Sequence, residues 1–162
     1  MKCDWPAIRE AQRQLCQEVR NVHMVNLLGL GESNNIHPVH KIPAACRLAN
    51  YALARVYAEN ASAWPVEPAL AGAQREGEWV RIFFSQAEGL HIHEHPLQLE
   101  EGDGVSFRAA EDYLIAGQTL MLRCKGSVIR YGWRGFPKPG LCNGAMLPVG
   151  PFVIEVKGME SV

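Results

Sequence analysis

Beyond Gly77 the chain stops repeating its apolar residues every three or four positions and begins to alternate them every two. Strand side chains point to opposite faces in turn, so such a stretch buries one face only as part of a sheet. Residues 79–84 (WVRIFF), 90–95 (LHIHEH), 105–108, 113–116, 119–124, 127–133 and 152–156 each read as a short strand. Turn chemistry separates them at Glu88-Gly89, Gly102-Asp103-Gly104, Gly117 and Lys125-Gly126. Short antiparallel strands punctuated in this way predict a compact β-sandwich. Residues 134–150 carry four glycines and three prolines, which predicts one ordered but irregular loop before the last strand.

The first third follows a different rule. Trp5-Pro6 opens a helix, with Asp4 as a cap and Pro6 suited to the first turn. Ile8, Ala11, Leu15 and Val19 recur at spacings of three and four, so this stripe is expected to face a core, with Arg9, Glu10, Arg13, Gln14 and Gln17 opposite. Residues 22–28 (VHMVNLL) read as a buried strand, broken by the glycines of GLGES. A second helix is expected from about Pro43 to just before Glu59, with Ala45, Leu48, Ala49, Ala52, Leu53, Val56 and Tyr57 in its apolar stripe and Arg47, Asn50 and Arg55 pointing away. Helix, strand, loop, helix is a piece of α/β architecture, and a lone parallel strand needs neighbours to cover both faces. The deficit predicts that residues 1–61 are the tail of a larger α/β unit and 62–162 a β-rich module, an α+β arrangement overall. Pro65 and Pro68 mark the join as linker-like.

Charge narrows the function classes. Sixteen basic residues face seventeen acidic ones, for a net charge of −1, with no basic cluster. That argues against a nucleic-acid surface and a polybasic membrane anchor. No apolar run reaches the length of a membrane span, and the charged start MKCDWPAIREAQRQL lacks the apolar core of a signal peptide. The five cysteines, Cys3, Cys16, Cys46, Cys124 and Cys142, show no C-x-x-C pair, so free thiols packed as small hydrophobes are expected.

Three groups of residues can carry chemistry. His37, beside Pro38 on the loop between residues 22–28 and the second helix, suits a general base if an acidic neighbour fixes its tautomer; otherwise it is a loop histidine bonded to backbone. His91, His93 and His95 would share one face of a strand and can bind zinc or copper, or simply face solvent. Cys46, on the second helix, is expected to pack, which leaves Cys142, in the loop, as the more reactive thiol. No G-x-S-x-G is present, and Ser33 is too close in sequence to His37 to be its usual partner. Trp64, Trp79 and Trp133 can stack on sugars or serve as sandwich core, with core expected at least for Trp79.

WPAIREAQ at residues 5–12, IHPVHKIPAACRLANYAL at 36–53, VRIFFSQAEGL at 80–90 and VIRYGWRGFPKPGLCNGAMLPVGPF at 128–152 resemble the sialate O-acetylesterase family of carbohydrate esterases. In the closing segment Arg130, Tyr131 and Trp133 match an R-Y-x-W, Asn143, Leu147 and Pro148 an N-x-x-x-L-P, and Pro151 and Phe152 the final P-F. The resemblance implies an SGNH-hydrolase-type α/β catalytic domain with a β-sandwich-like accessory region, of which this chain matches the C-terminal part. It implies that His37 is the general base, with an O-acetylated sugar as substrate and no cofactor or metal. Two departures stand out. The serine block of the family is absent, and the acidic position three before the histidine is Asn34, next to a neutral Asn35, so Asn34 or Glu32 is left to orient His37. The resemblance therefore implies hydrolysis of sugar acetyl esters by a partial chain inactive alone, or a sugar-binding or protein-interaction module derived from such an enzyme.

Overall fold

The computed structural model describes residues 4–57, 63–94 and 96–156. Two helices come first, α1 (Trp5–Glu18) and α2 (Ile42–Tyr51), the latter running into a π-helical turn at Ala52–Val56. Ten strands follow: β1 (Ala69–Glu76), β2 (Trp79–Ser85), β3 (His91–Ile92), β4 (Leu99–Gly102), β5 (Phe107–Ala109), β6 (Tyr113–Ala116), β7 (Thr119–Arg123), β8 (Val128–Tyr131), β9 (Leu141–Cys142) and β10 (Phe152–Glu155). They form two four-stranded antiparallel sheets, ordered β1-β2-β7-β6 and β10-β8-β4-β5, and a small β3-β9 pair. The result is a mixed α and β chain with open antiparallel sheets, not a closed barrel.

The alternation seen in the sequence sets which face goes inward. Val80, Ile82 and Phe84 from β2 and Leu120 and Leu122 from β7 meet Leu99, Ile129, Tyr131 and Phe152 from the other sheet in one continuous core. Phe84 and Tyr131 each lie against the ring of Phe152, at centroid distances of 6.0 and 5.6 Å, separations typical of tilted aromatic pairs. Tyr131 is fully buried, and its hydroxyl accepts the backbone N–H of Gly140 at 3.0 Å and of Leu141 at 2.9 Å. Burial pushes that phenol up to about 12, even though the two N–H groups favour the phenolate. The R-Y-x-W tyrosine thus ties the glycine- and proline-rich loop to the sheet.

Three strands escape the sequence reading. β1 is an edge strand with one large apolar residue, Leu70, among Ala, Gly and polar residues, paired only with β2, and small residues give little strand signal. β4 reads Leu-Glu-Glu-Gly, and its inward carboxylate, Glu101, interrupts the apolar period. β9 is two residues long inside the irregular loop. Trp79 is a correction of another kind. It is half-buried rather than core, and Arg123 lies over its ring at 5.2 Å.

The larger corrections lie in the first third. Residues 22–28 form no strand, since no neighbouring strand offers them a hydrogen-bond ladder. α1 begins as its cap requires, with Asp4 accepting the N–H of Ala7 at 3.2 Å, but its faces are reversed. Leu15 is 48% exposed, and Ile8 and Val19 are exposed as well. The polar face is the one that packs: Glu10 is buried and holds Arg13 and Gln14, and Arg9 donates to the carbonyls of Arg134 and Gly135. α2 behaves alike, because Leu48, Val56 and Tyr57 are exposed while Arg47 turns inward to the carbonyls of Asn26 (2.9 Å) and Leu28 (3.0 Å). Both helices thus leave their apolar stripes open. A stripe that covers nothing has little to lose, so Leu15→Glu and Leu48→Glu are each expected to shift unfolding free energy by no more than about 0.5 kcal/mol. Thermal melts of the two variants measure this, and a loss of several degrees would place the stripe in a core.

Candidate active site

Residues 29–41 carry His37, and the loop is built on two side chains. Glu32 forms an isolated bridge with Asn35. One carboxylate oxygen accepts the Asn35 side-chain amide at 3.2 Å, and the other accepts the N–H of Val39 at 3.4 Å. Asn35 in turn accepts the backbone N–H of His37 at 2.9 Å, an Asx turn of the kind asparagine forms with the residue two positions on. A carboxylate that reaches both sides of the turn holds the backbone of residues 32–39 in one course. Lys41 then passes the chain into α2, its carbonyl accepting the N–H of Ala45 at 3.0 Å.

The base of the loop rests on the β-module. Gly29 has a φ of +81°, and a Cβ there would stand 3.4 Å from Pro139 Cγ. A Cβ on Gly31 would lie 3.7 Å from the ring of Phe136. Arg9 of α1 also bonds this irregular segment, at the carbonyls of Arg134 and Gly135. The loop and residues 134–139 thus lie against each other.

His37 is exposed on this frame, and its ring has no hydrogen-bond partner among the described residues. Asn34 is exposed and makes no hydrogen bond among the described residues. The groups that shape the loop are Glu32 and Asn35, and both act on backbone rather than on the imidazole. The sequence signal for Asn35 is the Asn-x-His spacing of an Asx turn. The side chains flanking His37 are apolar and uncovered: Ile36 is 85% exposed, Val39 72% and Ile42 77%.

The other candidates disperse. His91 Nδ1 lies 3.0 Å from the carbonyl of Gly89, and the rings of His91 and His93 meet edge to face at 6.3 Å; His95 lies outside the described residues. Among those residues no group of three His, Cys, Asp or Glu side chains is placed to hold a metal. The cysteine expectations are reversed. Cys142 is buried, and burial pushes its thiol up against the opposing charge of Arg47, whereas Cys46 is exposed. Cys142 is therefore the inert one. Cys3 lies outside the described residues. Asn143, Leu147 and Pro148 of the closing motif are structural, since Asn143 donates to the carbonyls of Val66 and Gln86 and accepts the N–H of Ala145 and Leu147.

No protein-family profile matches the sequence, and no curated protein matches it. Among solved structures, the chain is similar to the crystal structure of a carbohydrate acetylesterase from Xanthomonas citri, with a TM-score of 0.64 and 25% identity over 78% of this chain. The chain is structurally akin to a carbohydrate esterase. It spans 31% of that protein's length. No helix of the described residues is long and apolar enough to cross a membrane.

Proposed function

We propose that this chain is the base-bearing part of a carbohydrate esterase of the sialate O-acetylesterase kind. Residues 1–61 would complete an SGNH-type α/β domain that supplies the serine, and residues 62–162 would form its accessory module. His37 takes the proton of the serine hydroxyl as its oxygen attacks the acetyl carbonyl. It then returns that proton to the sugar oxygen as the ester C–O bond breaks, leaving an acetyl-serine for water to hydrolyse by the same route.

One observation carries this reading. His37 stands on a loop whose neighbours Ile36, Val39 and Ile42 are exposed, and Ile8 and Leu15 on α1, Leu48 on α2 and Val56 beyond it are exposed as well. Exposed apolar side chains in such number suit an interaction surface. An α/β unit seated over them would bury them and bring a nucleophile to the imidazole. The carbohydrate acetylesterase, with more than two thirds of its length beyond this match, supports that occupant.

The chain alone is expected to hydrolyse an aryl acetate no faster than buffer, and His37→Ala is expected to change nothing. Turnover by the isolated chain that His37→Ala abolishes would refute the partial-site reading. A non-enzymatic sugar-binding or protein-interaction module is the second reading, favoured by the neutral Asn34 and by a His37 ring with no hydrogen-bond partner among the described residues. Where an aspartate normally orients a triad histidine, its change to asparagine costs about 10⁴ in rate.

A further inference from the structure

The short strand β3 places two histidines side by side. Ile92 packs against the core, and β3 pairs with β9, His91 opposite Cys142 and Ile92 opposite Leu141. The ladder runs one residue further, because His93 donates its N–H to the carbonyl of Gly140 at 2.7 Å. Alternation along this extended backbone turns His91 and His93 to the side away from Ile92. His91 is half-buried and His93 exposed, and their rings meet edge to face with centroids 6.3 Å apart.

His91 is prepared as a ligand. Its Nδ1 lies 3.0 Å from the carbonyl of Gly89. A carbonyl only accepts, so Nδ1 carries the proton and, in the neutral ring, Nε2 keeps its lone pair. Metal-bound histidines are oriented in this way, by the other ring N–H on a carbonyl or carboxylate. The turn that presents this carbonyl is held on both sides. Leu90 donates its N–H to the carbonyl of Ala87 at 2.9 Å, and Gly144 donates to that of Glu88 at 2.8 Å. The packing is close enough that a Cβ on Gly89 would stand 2.9 Å from Gly144 Cα.

The donor set selects the ion. Metal–imidazole bonds of about 2.0–2.1 Å let one ion join ring centroids up to roughly 6.5 Å apart. Rotation of the exposed His93 side chain shortens the span with no movement of backbone. Glu94, next in the chain, is engaged by Lys138 at 2.5 Å. Cys142, across from His91, is buried with its thiol pushed up, so neither neighbour adds a carboxylate or a thiolate. Two imidazoles with water in the remaining positions suit nickel, copper and zinc rather than calcium or magnesium, which take oxygen ligands. We propose that His91 and His93 form a site for one divalent late transition-metal ion, each giving one ring nitrogen. No group of three ligating side chains is assembled among the described residues, so water completes the shell. The site uses no residue of the His37 loop and does not rest on the esterase reading.

The test titrates the whole chain with Ni²⁺, which is paramagnetic and leaves thiols unoxidised, while amide signals are followed by NMR. Saturable broadening is expected at residues 88–93 and 140–142. His91→Ala and His93→Ala are each expected to weaken binding about tenfold or more, since even residues that only orient a ligand are worth that much. Zn²⁺ is expected to compete for the same residues and Ca²⁺ is not, and His37→Ala is expected to bind as the parent does. Thermal melts confirm folding, because neither histidine belongs to the core. Broadening that does not saturate would overturn the proposal, as would an affinity indifferent to either histidine substitution. Broadening centred on residues 29–41 and lost in His37→Ala would overturn it too. Competition by Ca²⁺ at equal concentration would assign the ion to carboxylates and likewise overturn it.

Discussion

Replacing Asn143 by alanine is expected to lower the unfolding free energy of the chain by about 3–5 kcal/mol, the sum expected for several buried hydrogen bonds at about 1 kcal/mol each plus groups left unpaired. Its amide joins four otherwise separate backbone groups. Nδ2 donates to the carbonyls of Val66 and Gln86, both at 3.1 Å, and Oδ1 accepts the N–H of Ala145 at 3.1 Å and of Leu147 at 3.0 Å. These belong to the segment entering β1, the residue after β2 and the irregular loop, so one side chain fastens the loop to the start of the β1–β2 ladder. Asparagine alone among small residues offers two donors and two acceptor lone pairs in this geometry. Asn143→Asp keeps the acceptors but turns oxygen toward two carbonyls, and is expected to lose a comparable amount. Against a typical total stability of about 5–15 kcal/mol, either loss shows plainly as a lower urea midpoint. A shift worth less than about 1 kcal/mol would mean the loop holds itself without this side chain.

The match between sequence pattern and sheet is close where one face is buried and apolar. β6 (Tyr113–Ala116) stands where the alternation places it, and β2, β7, β8 and β10 differ from expectation only at their ends. The reading fails where the inward side chain is small or charged. Ala69–Glu76 offers little apolar surface to alternate, and at β4 the inward residue is Glu101. A period of two marks buried carbon and is silent on a carboxylate buried because backbone N–H groups meet it.

At the helices, periodicity gave the right elements and the wrong exposure. The apolar stripes exist, but nothing among the described residues covers them. An amphipathic pattern says that a face must be buried and is silent on where the burying partner lies. The inward packing of Arg9 and Arg47 follows from backbone carbonyls at Asn26, Leu28, Arg134 and Gly135 that need donors, a demand set by tertiary structure. The histidine loop was legible in part. Pro38 and the helix after it marked His37, whereas the roles of Glu32 and Asn35 are contacts between a side chain and a turn that only the folded loop displays.

The stability of the β-module is expected to fall steeply in acid, with Glu101 responsible for a large share. Glu101 is 6% exposed. Its Oε2 accepts the N–H of Lys125 at 2.8 Å and of Gly126 at 2.9 Å, and its Oε1 accepts Arg108 at 2.7 and 3.0 Å. Burial by itself would push this carboxyl up, but the Gly126, Arg108 and Lys125 donors overcome it and hold the group below the usual glutamate range. The donors on Oε2 matter most, because Arg108 is largely exposed and exposed ion pairs contribute little. Gly126 sits so close that a Cβ there would stand 2.7 Å from Gly102 N and O, so the turn cannot drift away from the carboxylate without reopening the β4–β8 edge. A carboxylate whose folded value is depressed adds stability that is present above its unfolded value and is lost as pH falls through the folded one. Glu101→Gln cannot satisfy both donor pairs, since one of its termini is an NH₂ facing other donors. It is expected to cost about 2–4 kcal/mol near neutral pH, where breaking a buried charged hydrogen-bond set is expensive. It is also expected to flatten the acid limb, so that urea midpoints of variant and parent converge at low pH. Parallel curves, offset equally at pH 7 and at low pH, would assign the acid sensitivity to other carboxylates and leave Glu101 a purely steric role.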